Sequence, residues 1–160
     1  MKTAVIGIGS PVLSDGAVPL RVVEELRGRG RCGTHTEFTT LPAGGFDLLA
    51  VFEGCTNAVI ITVYPHRSGS GTMIIEKKVT GATGTAAAEA ALLPGDHGVE
   101  VAQILALGRQ CGYTVPDEVV VVGITGAIVF TVGENRSGAV TGMVNGVIRR
   151  VEELVSQWDT

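Results

Sequence analysis

Residues 1–26, MKTAVIGIGSPVLSDGAVPLRVVEEL, run from a short apolar strand (3–8) into a Gly7-Ile8-Gly9 turn. A polar loop carrying Ser14 and Asp15 follows, and then a helix with Val18, Val22, Val23 and Leu26 on one face. A strand that passes through glycines into an amphipathic helix is the opening unit of an α/β sheet, a fold that presents its ligand site at the carboxyl edge of the strands. The rest of the chain has to supply the remaining strands and the helices that cover them.

The pattern of apolar residues does so in the order β-α-β-α-β-β-α-β-α. The first helix starts near Val18, with Pro19 in its first turn where the missing N–H costs nothing, and stops at glycines 28–30. A second strand is expected at 34–39. The Pro42-Ala43-Gly44-Gly45 turn launches a helix over 46–52, ended by Gly54. Residues 58–63 form the continuous apolar run of a buried strand. A turn through His66 to Gly71 leads to a fourth strand at 72–79, and 80–91, rich in Gly, Thr and Ala, is expected to be loop. A helix begins near His97 and reaches Cys111. The VVVV run marks a strand at 118–124, 125–137 is a second long loop, and the last helix spans 138–157 with Val140, Val144, Val147, Val151 and Leu154 in one stripe.

With 160 residues the chain is one domain, expected to fill 1–160 without a linker or internal repeat. Hydrophobic residues make up 45% of it and aromatic ones only 4%, so Val, Ile, Leu and Ala must build the core. Strands separated by helices imply right-handed crossovers. The expected architecture is a three-layer α/β domain: a mainly parallel five-stranded sheet with helices on both faces. Its site belongs where the strand-to-helix loops converge, at 9–16, 40–45, 63–71, Asp96-His97 and from 125 onward.

A net charge of −4 with no basic cluster excludes nucleic acid as a partner, because phosphate contacts need concentrated Lys and Arg. No apolar segment approaches the ~20 residues of a membrane span, and the N-terminal run is too short for a signal peptide. Cys32, Cys55 and Cys111 are odd in number and lack a CxxC pair, which reads as buried reduced thiols. A cytoplasmic protein without membrane contact is expected.

The glycine loop is not a dinucleotide fingerprint. G-x-G-x-x-G needs a third glycine for close helix packing, and Val12 stands there. Pro11 removes an N–H that would face a pyrophosphate, and the helix begins several residues after the glycines. Glu37, read as lying near the end of the second strand, imitates a ribose-binding acid, but a solvated strand end explains it as well. There is no P-loop lysine, no G-x-S-x-G elbow and no HExxH.

Taken over its whole length, the chain resembles the hydrogenase maturation proteases. Gly7, Gly9, Leu13, Asp15, Ala17 and the Arg21-Val22-Val23-Glu24-Glu25-Leu26 helix match that family's opening. Gly45-Phe46-Asp47-Leu48-Leu49, Ala58-Val59-Ile60-Ile61 with the Gly71-Thr72 turn, and the helix led by His97-Gly98-Val99 match its later blocks in order. The resemblance implies an endopeptidase that removes the C-terminal extension of a nickel–iron hydrogenase large-subunit precursor, with nickel arriving on that precursor.

It also implies a nickel site made by an acid of the first loop, an acid ending the third strand, and the histidine opening the third helix. Those positions fall on Gly16, Val63 and His97. Ser10 replaces the usual Asn, Pro19 the usual Gly, and Thr125-Gly126 an acid-proline. One imidazole alone is a poor site for a borderline divalent ion. Asp15, next to Gly16, and His66, just past Val63, leave Asp15, His66 and His97 as the candidate metal set, with Asp15 and His97 as the catalytic pair. Asp96 is placed to orient His97 or supply an oxygen. Ordinary roles compete for each: Asp15 as a turn or helix cap, His66 and His97 as solvated loop histidines, Asp96 as an N-cap. Three readings stay open: a working endopeptidase, a relative that binds a metalloenzyme precursor without cutting it, and a small-molecule or nucleotide binder.

Overall fold

In the computed structural model, residues 1–10, 17–65, 74–80, 97–127 and 138–160 are described. They form β1 (Thr3–Ile8), α1 (Val18–Arg29), β2 (Thr36–Leu41), α2 (Asp47–Phe52) and β3 (Asn57–Pro65). After these come β4 (Ile74–Thr80), α3 (His97–Gln110), β5 (Glu118–Ala127) and α4 (Gly138–Trp158). The single α/β domain and its element order match the sequence reading.

The five strands lie in the order β2-β1-β3-β5-β4. Four are mutually parallel, and β4 runs antiparallel to β5 at one edge, so the sheet is mixed. Connection length accounts for this. Parallel neighbours need a crossover of a dozen or more residues, and only residues 66–73 separate β3 from β4, so the chain must turn back. It pairs with β5 because β3 already has β1 on one side and β5 on the other.

Successive strand residues point to opposite faces. Val5, Val59, Ile61, Val120, Val122 and Ile124 share one core cluster with the apolar stripes of α1 and α4. Ala4, Ile6, Ala58, Ile60, Val119 and Val121 share the other with Leu48 and Phe52 of α2 and Val101, Ile104 and Leu105 of α3. Apolar residues run without alternation along these strands because both faces are covered. Val18, Val22, Val23 and Leu26 of α1 are completely buried, each worth about 1.5–3 kcal/mol relative to exposure.

Three strands end at least two residues beyond the sequence reading. β2 sits two residues later than expected, since Gly33 takes the left-handed conformation (φ 73°) and Thr3 N–H reaches back to the His35 carbonyl at 3.0 Å. β3 and β5 each run further, because they pair with one another as far as Pro65 and Ala127. Residues 125–127, expected as loop, are therefore strand. The expected loops at 80–91 and beyond Ala127 fall largely outside the described residues. Cys32 and Cys55 are buried as expected, but Cys111 is exposed just past the end of α3.

Candidate active site at the carboxyl edge

β1, β2, β3 and β5 are parallel, so Ile8, Leu41, Pro65 and Ala127 end at one edge of the sheet. α1, α2 and α4 follow β1, β2 and β5, and begin there. α3 leads back into β5 at the opposite edge, where Gly54 N–H donates to the Thr114 carbonyl and Asp117 N–H to the Thr56 carbonyl. Its 14 residues rise about 21 Å at 1.5 Å each, roughly the depth of the sheet. That brings its first residue, His97, to the carboxyl edge, the helix start expected from sequence.

Gly7 has a defined job at this edge. A Cβ built on it would lie 2.6 Å from the Pro19 carbonyl oxygen and 2.8 Å from Val23 Cγ2. This glycine lets α1 press against β1, a packing role that the dinucleotide fingerprint gives to its third glycine. Gly9 N–H donates to the Leu41 carbonyl at 3.1 Å, carrying the β1–β2 pairing one residue past the strand end. At the end of β2, Gly45 is left-handed (φ 81°) and its carbonyl accepts from Leu48 N–H at 3.1 Å, which starts α2.

Between β3 and β5 the register shifts at this same edge. Val63 faces Ile124, but Pro65 faces Ala127, so Thr125 and Gly126 together oppose Tyr64. Such a bulge bends the strand and re-aims the residues beyond it, and bulges recur beside active sites. The substituted Thr125-Gly126 pair is the bulged segment.

Val63, where the resemblance puts a metal-binding acid, is half-buried and packs on the core cluster of the α1 and α4 face. The position has become an apolar contact. Gly16, the other acid position, lies outside the described residues with Ser14, Asp15, His66 and Asp96. Of the candidate set Asp15, His66 and His97, the described residues include only the backbone of His97, which stands at the helix start. Among the described residues, no group of three His, Cys, Asp or Glu side chains is placed to hold a metal ion. The donors mapped from the resemblance, one imidazole with an apolar valine and a glycine, do not fit a resident nickel ion.

The other chemistry weighed from sequence falls away from this edge. Glu37 is the second residue of β2, paired in register with Ala4 and bridged to Lys2 at 3.0 Å. It lies at the amino half of its strand, not near its end, and cannot imitate a ribose-binding acid. Cys32, Cys55 and Cys111 precede β2, precede β3 and follow α3, all toward the amino edge. Burial, reinforced by Glu152 and Asp159, pushes the Cys32 thiol up to about 11. Burial also raises Cys55, whose Sγ donates to the Val51 carbonyl at 3.4 Å. Both are held as unreactive thiols, since the thiolate is the nucleophile. His35, the only fully described histidine, is exposed ahead of β2. Sequence reasoning missed the close approach at Gly7 and the bulge at 125–126. The first had a signal in the glycine of an otherwise apolar strand; the second depends on pairing and had none.

This mixed sheet, with helices packed on it, is the fold of the hydrogenase maturation proteases. The hydrogenase maturating endopeptidase HybD from E. coli superposes with a TM-score of 0.72 at 19% identity, over 98% of this chain and 93% of that one. The [NiFe] hydrogenase maturation protease HybD from Thermococcus kodakarensis gives 0.70 at 16% identity, over 97% and 99%. HycI from the same organism, also a [NiFe] hydrogenase maturation protease, gives 0.61 at 19%, over 97% and 92%. No protein-family profile and no curated protein matches the chain. Among the described residues, no helix is long and apolar enough to cross a membrane.

Proposed function

We propose that this chain is a maturation endopeptidase that removes a C-terminal extension from the large-subunit precursor of a nickel–iron hydrogenase. The observation that carries the proposal is fold agreement over the full length with proteases of that kind, together with a histidine that opens α3 at the carboxyl edge. Nickel enters as part of the precursor, held by the precursor's own ligands, so the protease need not build a complete metal site. Asp15 and His97 are the residues assigned to cleavage, with His66 beside them in contact with the incoming metal. The protein works in the cytoplasm, where the precursor is assembled.

Val63 favours one competing reading, a chain that holds the precursor without cutting it. The two separate in one experiment. The purified chain is mixed with a nickel-loaded large-subunit precursor and cleavage is followed by mass spectrometry, with His97→Ala alongside. Loss of the C-terminal peptide in the wild type, abolished in His97→Ala, supports the endopeptidase. A stable complex with intact precursor overturns it in favour of the binder.

A further inference from the structure

β2 is one of the two outer strands of the sheet, and its backbone shows what guards it. Thr3 N–H donates to the His35 carbonyl and Gly9 N–H to the Leu41 carbonyl, in register with Thr3 opposite Thr36. In a parallel ladder this turns the backbone groups of residues 35, 37, 39 and 41 toward β1. Those of Thr36, Phe38 and Thr40 point away from the sheet. The exposed Arg27 of α1 reaches across to this outer side, and its guanidinium donates to the Phe38 carbonyl at 3.0 Å. The same guanidinium rests 5.9 Å from the centre of the Phe38 ring, within cation–π range. Two contacts thus hold one cation on the middle acceptor of an edge that no other described strand pairs with.

An open edge templates pairing with another strand, and charged side chains placed on it are a common defence. The nearest competent partner is β2 of a second copy, because its sequence is self-complementary. In an antiparallel pairing centred on Phe38, each Phe38 faces the other, Thr36 faces Thr40 and Glu37 faces Thr39, with no like charges opposed. Such a pairing is two-fold symmetric and would make one continuous sheet from two. Its central bonds need the Phe38 carbonyl that Arg27 occupies.

We propose that Arg27 is a built-in clasp that blocks the β2 edge against pairing with β2 of a second copy. Replacing it leaves the fold intact, since the position is exposed and alanine is the better helix former, but frees the acceptor. Thr40→Pro offers the complementary change: the Thr40 N–H points outward, so proline costs no bond to β1 and is tolerated on an edge, yet it removes a donor from the new pairing. The test is sedimentation equilibrium on the full chain over a concentration series, for wild type, Arg27→Ala and Arg27→Ala/Thr40→Pro, with circular dichroism as the fold control. Self-association should tighten at least tenfold in Arg27→Ala and return to the wild-type value in the double variant. Unchanged association in Arg27→Ala, or tightened association that Thr40→Pro leaves in place, overturns the proposal.

Discussion

Gly7→Ala isolates the contact that sets the opening strand against its helix. The added Cβ would lie 2.6 Å from the Pro19 carbonyl oxygen, about 0.8 Å inside ordinary contact, and 2.8 Å from Val23 Cγ2. The first obstacle is helix backbone, so no rotamer change relieves it. α1 must lift, and with it Val18, Val22, Val23 and Leu26, all fully buried. Overpacking of a tight core costs about 1–3 kcal/mol, and a rigid obstacle puts this case near the top, about 3 kcal/mol. For a domain of this size that lowers Tm by about 6–12 °C. Two other glycines calibrate the measurement. At Gly108 a Cβ would lie 2.7 Å from Val115 Cγ1 and 2.8 Å from Leu49 Cδ2, with Tyr113 Cβ at 3.8 Å, so the obstacles are side-chain atoms and not helix backbone. Helix propensity there returns up to about 1 kcal/mol, so Gly108→Ala should stay within about 1 kcal/mol of wild type. Gly28, inside α1 with nothing within 4 Å, should be stabilised by about 0.5–1 kcal/mol on going to alanine. Thermal and urea unfolding followed by circular dichroism should rank Gly28→Ala above wild type and Gly7→Ala well below it. A Gly7→Ala protein that unfolds with the wild type would refute the claim that this approach requires glycine.

Arg150 of α4 grips the outer strand β4 through two bonds to Glu76, at 2.7 and 2.9 Å. The bond to Arg150 lowers the Glu76 pKa, so its stabilisation is present above the ordinary glutamate value of 4.5 and fades as pH falls through the lowered one. Both groups are about a third exposed, which limits the gap between wild type and Glu76→Gln to about 0.5–1 kcal/mol at neutral pH. In urea titrations that gap should narrow as the pH is lowered below 4.5, and a gap that stays constant over that range removes the ion pair as its cause. The cysteines offer a separate check at pH 8 with a thiol-reactive dye. Cys111 should label rapidly and Cys32 and Cys55 only on unfolding, so Cys111→Ser should erase the fast phase; a fast phase that survives means a buried thiol is open.

How far the sequence was readable depends on whether each feature is set locally or by pairing. β1 and α1 were legible to the residue because their signals are local: an apolar run, a proline in the first helical turn, and Gly30 in the left-handed conformation as C-cap. β2 lies two residues later than the sequence pattern puts it because THTEFTT has Phe38 as its one apolar residue, and only pairing with β1 sets its ends. The reversed direction of β4 was in principle legible, since the stretch from 66 to 73 is too short for a crossover. The bulge was not, because it exists only in the register of β5 against β3. The site divides the same way. His97 opens a helix, and a helix start is a local signal. Whether Val63 serves chemistry or packing is decided by the face of β3 it lies on, and its period-two neighbours Val59 and Ile61 place it on the apolar face under α1 and α4. A carboxylate there would have to leave that cluster or lose its solvation. The valine is thus consistent with its surroundings, and a carboxylate ligand at this position would not be.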